Sequence, residues 1–270
     1  MTRRRLDAEL VRRGLVSTRD EAQAAVRRGV VRVDGRRADK PTSFVDTAAP
    51  VEIVSVPTRR FVSRGGEKLE AALDAFGIDV SGRRCLDAGA STGGFTDCLL
   101  QRGATHVVAV DVGYGQFDWS LRTDERVTVL ERTNVRELTS AFLPYAPDLV
   151  VADLSFISLR VALPPLVRVA AADASFVMLV KPQFEADRED APAGVVGDPD
   201  VWRRAIEGVA ASCVDAGLSP AGVMASPLVG PAGNVEFFVH AVGGVERTAS
   251  IDPIDVDDAL DAGRRLAEAS

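Results

Sequence analysis

From Arg83 onward the chain alternates short apolar runs with longer amphipathic ones, and that alternation is what most restricts its fold. RRCLDAG, HVVAVDV, RVTVLE, PDLVVADL and SFVMLVK read as strands, whereas FTDCLLQRG, RVALPPLVRVAA and VWRRAIEGVAASCVDAG read as helices. Strands alternating with helices in this way predict an α/β fold built on a doubly wound, mostly parallel sheet. SPAGVMAS and NVEFFVHAV add a late antiparallel hairpin that closes the sheet. The tail IDPIDVDDALDAGRRLAEAS, acidic first and basic later, reads as a helix aligned with its own dipole. With 270 residues, 46% of them hydrophobic, the chain can fill one full core and a small second domain.

The first sixty residues differ in character. Residues 1–60 hold 14 lysines and arginines against 8 acids, and residues 61–270 hold 18 against 31, so the net charge of −7 conceals a basic module on an acidic body. RLDAELVRRGLV sets Leu6, Leu10 and Val11 on one helical face, and Thr18 with Glu21 forms a capping box for a second helix ending at Gly29. Residues 30–33 read as a strand, Asp34-Gly35 as a hairpin turn and PVEIVSV as a closing strand. The stretch LDAELVRRGLVSTRDEAQAAVRRGVVRVDGR resembles the S4-like RNA-binding domain, a small α+β unit. That resemblance implies that Arg3, Arg5, Arg19, Arg27 and Arg28 face RNA phosphates. We expect an S4-like domain over residues 1–58, a linker over 59–64 and a second domain over 65–270.

No apolar run approaches the roughly 20 residues of a membrane-spanning helix. Asp7 and Glu9 interrupt any signal-peptide core in MTRRRLDAELV, so the chain is read as cytoplasmic. Cys85, Cys98 and Cys213 are scattered, and His106 and His240 lack metal-ligand spacing, which supports neither a disulfide framework nor a bound metal.

LDAGASTGGFTD follows a strand and opens a helix, the place where an open α/β sheet holds a nucleotide-like ligand. Gly89, Gly93 and Gly94 do not fit G-x-G-x-x-G, and no lysine follows as in a P-loop, which disfavours a pyrophosphate cradle. At the next strand ends, Asp111 stands where an acid accepts hydrogen bonds from ribose hydroxyls, and Asn134 stands where an adenine edge would be read. The loop resembles the first motif of S-adenosylmethionine-dependent methyltransferases. The resemblance implies a Rossmann-like fold in which Asp87, Gly89, Ser91, Gly93, Gly94 and Phe95 hold the cofactor, with Asp153 beside it.

Positive charge here is almost all arginine: Lys40, Lys68 and Lys181 are the three lysines among 32 basic residues. An ammonium sheds its proton when desolvated and a guanidinium does not, so lysine suits a position that must supply a base. Lys40, in RRADKPT, reads as solvated surface charge. VVADLSF and VMLVKPQFE end adjacent parallel strands, so Asp153 and Lys181 should meet beside the crevice, while Lys68 in SRGGEKL sits on the helix before the sheet and Glu236 in NVEFFVH opens a late strand. Lys68, Asp153, Lys181 and Glu236 resemble the Lys-Asp-Lys-Glu tetrad of FtsJ-like ribose methyltransferases, which implies a catalytic set with Lys181 as general base. A structural ion-pair cluster is the competing reading. Leu154-Ser155-Phe156 occupies the place where base-amino methyltransferases usually carry Pro-Pro-aromatic, and no cysteine lies at these strand ends for carbon methylation.

SRGGEKL, DAGASTGGFTD, VVADLSFISL, VKPQFE and GNVEFF, behind the basic module, resemble the TlyA family, known both as hemolysins and as rRNA 2′-O-methyltransferases. Phe61 departs from the family's usual Trp. The resemblance implies S-adenosyl-L-methionine as donor and ribosomal RNA, 16S or 23S or both, or ribosomal subunits as partner. Composition and spacing do not themselves show rRNA. Three alternatives stay open at this level: an RNA-binding ribosome-assembly factor with an inactive methyltransferase core, a nicotinamide-dependent oxidoreductase using Asp111 on a ribose, and a membrane-lysing protein.

Overall fold

The computed structural model describes residues 2–27, 29–54, 60–191, 194–244 and 253–269. Two compact units divide the chain, Met1–Arg59 and Arg60–Ser270.

The first unit runs β1 (Arg3–Arg5), α1 (Leu6–Arg12), α2 (Arg19–Arg27), β2 (Val31–Val33), β3 (Arg36–Arg37), β4 (Phe44–Asp46) and β5 (Val51–Ile53). β1 pairs antiparallel with β4, and β3-β2-β5 form a second antiparallel sheet. The capping box forms as expected: Thr18 Oγ1 accepts the Glu21 backbone N–H at 3.2 Å, and the Glu21 carboxylate accepts from Ser17 N at 2.8 Å. Asp34 and Gly35 both take positive φ, 50° and 75°, which a two-residue hairpin turn requires. Leu6, Leu10, Ala22, Ala25, Val26 and Val31 close a small core. Ser55 and Val56, the end of the strand expected at PVEIVSV, lie outside the described residues, as do Arg28 and residues 57–59.

The second unit contains α3 (Arg64–Ala75), β6 (Arg84–Ala88), α4 (Gly94–Gln101), β7 (His106–Val110), α5 (Trp119–Arg122), β8 (Val127–Leu130), β9 (Leu149–Ala152) and α6 (Leu159–Val169). It continues with β10 (Ser175–Val180), α7 (Pro182–Glu185), α8 (Pro199–Asp215), β11 (Ser219–Ala225), β12 (Phe237–Val242) and α9 (Pro253–Ala269). Its sheet has the order β11-β12-β10-β9-β6-β7-β8. β6 to β10 are mutually parallel where they pair, and β12 runs antiparallel between β10 and β11. Alternate side chains enter two cores. Leu86, Val108, Val150 and Met178 meet α6, α8 and α9 on one face, while Cys85, Val107, Val151 and Val177 meet α3, α4 and α5 on the other. Both faces being covered explains why the strands read as unbroken apolar runs. Phe61, within the joint expected at 59–64, is buried in the second core over Gly66, whose own Cβ would fall 2.2 Å from the Phe61 ring.

This strand order reverses beside β6, so the loops after β6 and β9 diverge there and leave a crevice at the strands' C-terminal ends. Gly89 sets how closely those loops approach. It has φ +86°, and a Cβ there would lie 2.3 Å from the Asp153 carbonyl oxygen. Gly89→Ala should therefore lower the unfolding free energy by about 1–3 kcal/mol through backbone strain alone, seen as a lower urea midpoint; an unchanged midpoint would mean that neither the positive φ nor the close approach of the two loops constrains this position.

Candidate active site

The crevice is a cleft of about 540 Å³ bounded by the ends of β6, β7, β8 and β9. Of the residues expected to hold a cofactor, Gly89, Ser91, Asp111, Asn134 and Asp153 line it. Asp111 Oδ2 accepts the Ser91 backbone N–H at 2.8 Å, and its Oδ1 accepts from Gly113 N at 2.6 Å and Gln116 Nε2 at 3.2 Å, so it ties the loop after β6 to the loop after β7. Asn134 Oδ1 caps the short turn after β8 by accepting from Arg136 N at 3.1 Å. Gly93, Gly94 and Phe95 are buried and face protein instead. A Cβ on Gly93 would meet Leu121, one on Gly94 would meet the Ser63 hydroxyl, and Phe95 stacks on Phe238 with centroids 6.2 Å apart.

Asp87 lies two residues before Gly89, on the α3 and α4 side of the sheet. It is wholly buried: Oδ2 accepts from Thr96 Oγ1 at 2.7 Å, while Oδ1 has no hydrogen-bond partner among the described residues. Burial pushes its carboxyl up to about 7, and the nearby Asp153 and Asp111 charges push the same way against the Thr96 hydrogen bond. Asp87 is not among the residues that line the cleft; it stands behind the wall with one carboxylate oxygen unpaired, and an ammonium that reached that oxygen would supply the missing N–H groups.

The four residues of the expected tetrad come together. Register pairs Val180 with Phe237, so Lys181 and Glu236 leave neighbouring strands side by side, and β9 delivers Asp153 from the other flank of β10. Lys181 Nζ lies 2.6 Å from Asp153 Oδ1 and donates to Ser155 Oγ at 2.9 Å. Asp153 Oδ1 accepts no hydrogen bond, so the ammonium meets it as a charge contact rather than an aligned donor. Lys68 Nζ donates to Glu236 Oε2 at 2.5 Å. The two pairs differ in access: Lys181 and Asp153 keep 11% and 27% of their side chains exposed, Lys68 and Glu236 only 7% and 1%. Burial pushes the Glu236 carboxyl up even with Lys68 against it.

Three further residues at this site carried no role in the sequence reading. Ser155 receives Lys181. Phe156, beside it on the cleft wall, is 91% exposed at φ +64°, with its ring 5.3 Å from that of Phe184. Glu185, buried, accepts from Ser158 Oγ at 2.5 Å and from Leu159 N at 2.6 Å. Both VKPQFE and LSFIS could be quoted from the sequence, but hydrogen bonds between two loops leave no pattern in either loop alone.

In the first unit, Arg3, Arg19 and Arg27 are exposed, Arg5 pairs with Asp7, and Arg28 lies outside the described residues. Among the described residues no helix is long and apolar enough to cross a membrane, and no group of three or more His, Cys, Asp and Glu is placed to hold a metal ion.

The FtsJ-like methyltransferase family model matches residues 61–242, and the S4 domain model matches residues 4–49. The chain is 56% identical over 249 residues to the 16S/23S rRNA (cytidine-2′-O)-methyltransferase TlyA of Mycobacterium tuberculosis, covering 92% of this chain and 93% of that one. It is 38% identical to Hemolysin A of Brachyspira hyodysenteriae, over 88% of this chain and 99% of the relative. A solved structure of a candidate hemolysin from Streptococcus thermophilus superposes with a TM-score of 0.76 at 37% identity, covering all of this chain and 98% of the other.

The raised Asp87 carboxyl makes the charge behind the cleft wall depend on pH. A carboxyl shifted up in the folded state favours its proton, so the unliganded fold loses stability as pH rises from the usual carboxylate range toward about 7. An ammonium held against Asp87 would need that carboxyl ionised. S-adenosylmethionine affinity, measured by calorimetry, should therefore weaken as pH falls below about 7, approaching tenfold per unit, and Asp87→Asn should bind more weakly with no such dependence. A parent affinity that is flat across this range would remove Asp87 from cofactor binding.

Proposed function

The chain belongs to the TlyA family, and on that premise we propose that it transfers a methyl group from S-adenosylmethionine to ribose 2′-hydroxyls of ribosomal RNA, working in the cytoplasm. The observation that carries this reading is the pairing of an accessible lysine and carboxylate, Lys181 with Asp153, backed by a sealed pair, Lys68 with Glu236. S-adenosylmethionine, when bound, supplies an electrophilic methyl group on a sulfonium; Gly89, Ser91, Asp111 and Asn134, with Asp87 behind them, would hold it.

A ribose hydroxyl is too weak an acid to act as a nucleophile unaided, so the residues around it must take its proton. We assign that step to Lys181 Nζ, which is held against Asp153 and Ser155, two residues that line the cleft. Asp153 and Ser155 fix where the nitrogen lies, one by charge and one by a hydrogen bond. Lys68 and Glu236 complete the electrostatic setting from a position closed to water. Phe156 offers a flat apolar face at the mouth, the kind of surface on which an unstacked nucleobase rests. Its positive φ fits a residue held out of its preferred conformation for that use. The arginine-rich first unit supplies the RNA affinity that an acidic body lacks.

Lys181→Arg keeps the positive charge but cannot give up a proton near neutral pH. It should bind cofactor and rRNA nearly as well as the parent and lose single-turnover methylation by roughly 10²–10⁴-fold. A near-parental rate would return Lys181 to a structural role. Removing residues 1–59 should leave cofactor affinity in place while rRNA binding weakens and its salt dependence flattens, by a little under one unit of slope for each phosphate no longer neutralised. Equal slopes for the two proteins would mean that the first unit is not the RNA anchor.

A further inference from the structure

Two acids of the first unit have no part in the chemistry proposed above. Asp7 and Glu9 are both 0% exposed, on the one module whose charge is otherwise basic. What covers them is arginine. Glu9 accepts from Arg12 Nε at 2.8 Å and Nη2 at 2.5 Å and from Arg13 Nε at 2.7 Å, and Arg4 Nε lies 3.8 Å away. Asp7 accepts from Arg5 at 3.1 Å and 2.6 Å and from Ala8 N at 2.8 Å. The Arg12 guanidinium holds the Glu9 carboxyl down at about 2, and Arg5 holds Asp7 below the ordinary carboxylate range, so both are anions at neutral pH.

The arginines fall into two kinds. Arg13 is used internally, donating also to the Ala49 and Thr47 carbonyls at 2.9 Å, and only 20% of its side chain is exposed. Arg4, Arg5 and Arg12 keep 48%, 40% and 46% of theirs exposed while facing a buried carboxylate. A guanidinium has five N–H donors; Arg5 and Arg12 spend two each on a carboxylate fork and Arg4, only near Glu9 as a charge, spends none, so all three can still offer donors outward.

An anion on a surface meant for phosphate repels the ligand, and two buried carboxylates add a desolvation cost. The compensation is order. A loose arginine gives up much of its rotamer freedom when it binds, whereas one already forked to a fixed carboxylate has given that up on folding. We propose that Asp7 and Glu9 are positioning residues that set Arg5 and Arg12 in advance as a rigid face for RNA phosphates, with Arg4 beside them as a charge contact only. The proposal rests on RNA being the substrate. It also changes which arginines matter, because Arg12 enters for the carboxylate behind it and not for its place on a basic helix.

Glu9→Gln in the full chain gives charge and order opposite signs. Removing an anion should tighten RNA binding if net charge governs; releasing Arg12 from its fork should weaken it several-fold, by order of magnitude the cost of ordering that side chain on binding. Anisotropy titrations with purified ribosomal RNA at fixed salt read the difference, and thermal unfolding of the same sample reports whether the variant folds. In turnover assays KM for RNA should rise with kcat unchanged, which a general loss of structure would not produce. Arg12→Lys serves as the second variant should Glu9→Gln unfold. It keeps the charge but cannot make the fork, and should bind several-fold more weakly, by order of magnitude the ordering cost of one side chain, with the salt slope preserved. Binding as tight as the parent's by folded Glu9→Gln, or by Arg12→Lys where the first variant unfolds, overturns the proposal. A parent chain that itself fails to bind ribosomal RNA overturns the substrate reading instead, so the two failures are separate results.

Discussion

The buried pair of Lys68 and Glu236 joins residues 168 apart in sequence, and much of the site follows from having to make it. Either charge left alone in that place would cost on the order of 3–5 kcal/mol, so α3 must dock where its second turn reaches Glu236. β12, which begins at the next residue, lies against β10 in a register that sets Glu236 beside Lys181. Asp153 then arrives from β9 on the other side of β10. One electrostatic requirement thus fixes a helix before the sheet, a strand near its end and, between them, the lysine that holds the cleft-lining Asp153 and Ser155.

The same contacts explain how a strained loop persists. Phe156 sits at φ +64°, a conformation that bulky residues rarely hold. The loop that bears it is pinned at one end by Lys181 donating to Ser155 and at the other by Ser158 donating to Glu185. Both pins come from the short stretch between Lys181 and Glu185. The segment that carries the lysine therefore also holds the aromatic face beside it.

What could be read from the sequence was whatever leaves a local mark. The parallel sheet announced itself in unbroken apolar runs bounded by acids and glycines, and the capping box at Thr18 and Glu21 formed as its spacing required. Lys68 and Lys181 were conspicuous because the chain otherwise uses arginine. Ser155, Phe156 and Glu185 could not be read in this way, since their parts depend on hydrogen bonds and ring contacts between loops some 25 residues apart. The glycine-rich loop shows the opposite limit. Its residues were noticed together, yet Gly89 and Ser91 line the cleft while Gly93 and Gly94 give room to Leu121 and Ser63. A small residue looks the same in sequence whether the space it leaves is for a ligand or for a neighbouring side chain. The arginines of the first unit were legible as a charge excess, but which of them stand on buried carboxylates was not.

The placement of β12 between β10 and β11 also bears on how the protein is made. Strands β6 to β10 can pair in nearly the order in which they leave the ribosome, but β11 emerges with no place of its own at the sheet. Until β12 follows and slots in antiparallel, β10 shows a bare edge and β11 has nothing to pair with among the described strands. An unpaired apolar edge is a template for the wrong partner, and long-range pairing is the slow part of folding. Glu236 directly precedes β12, so the step that closes the sheet is also the one that brings the last member of the Lys-Asp-Lys-Glu set into place. A nascent chain would expose its most aggregation-prone surface just before the site is assembled, and the two end together.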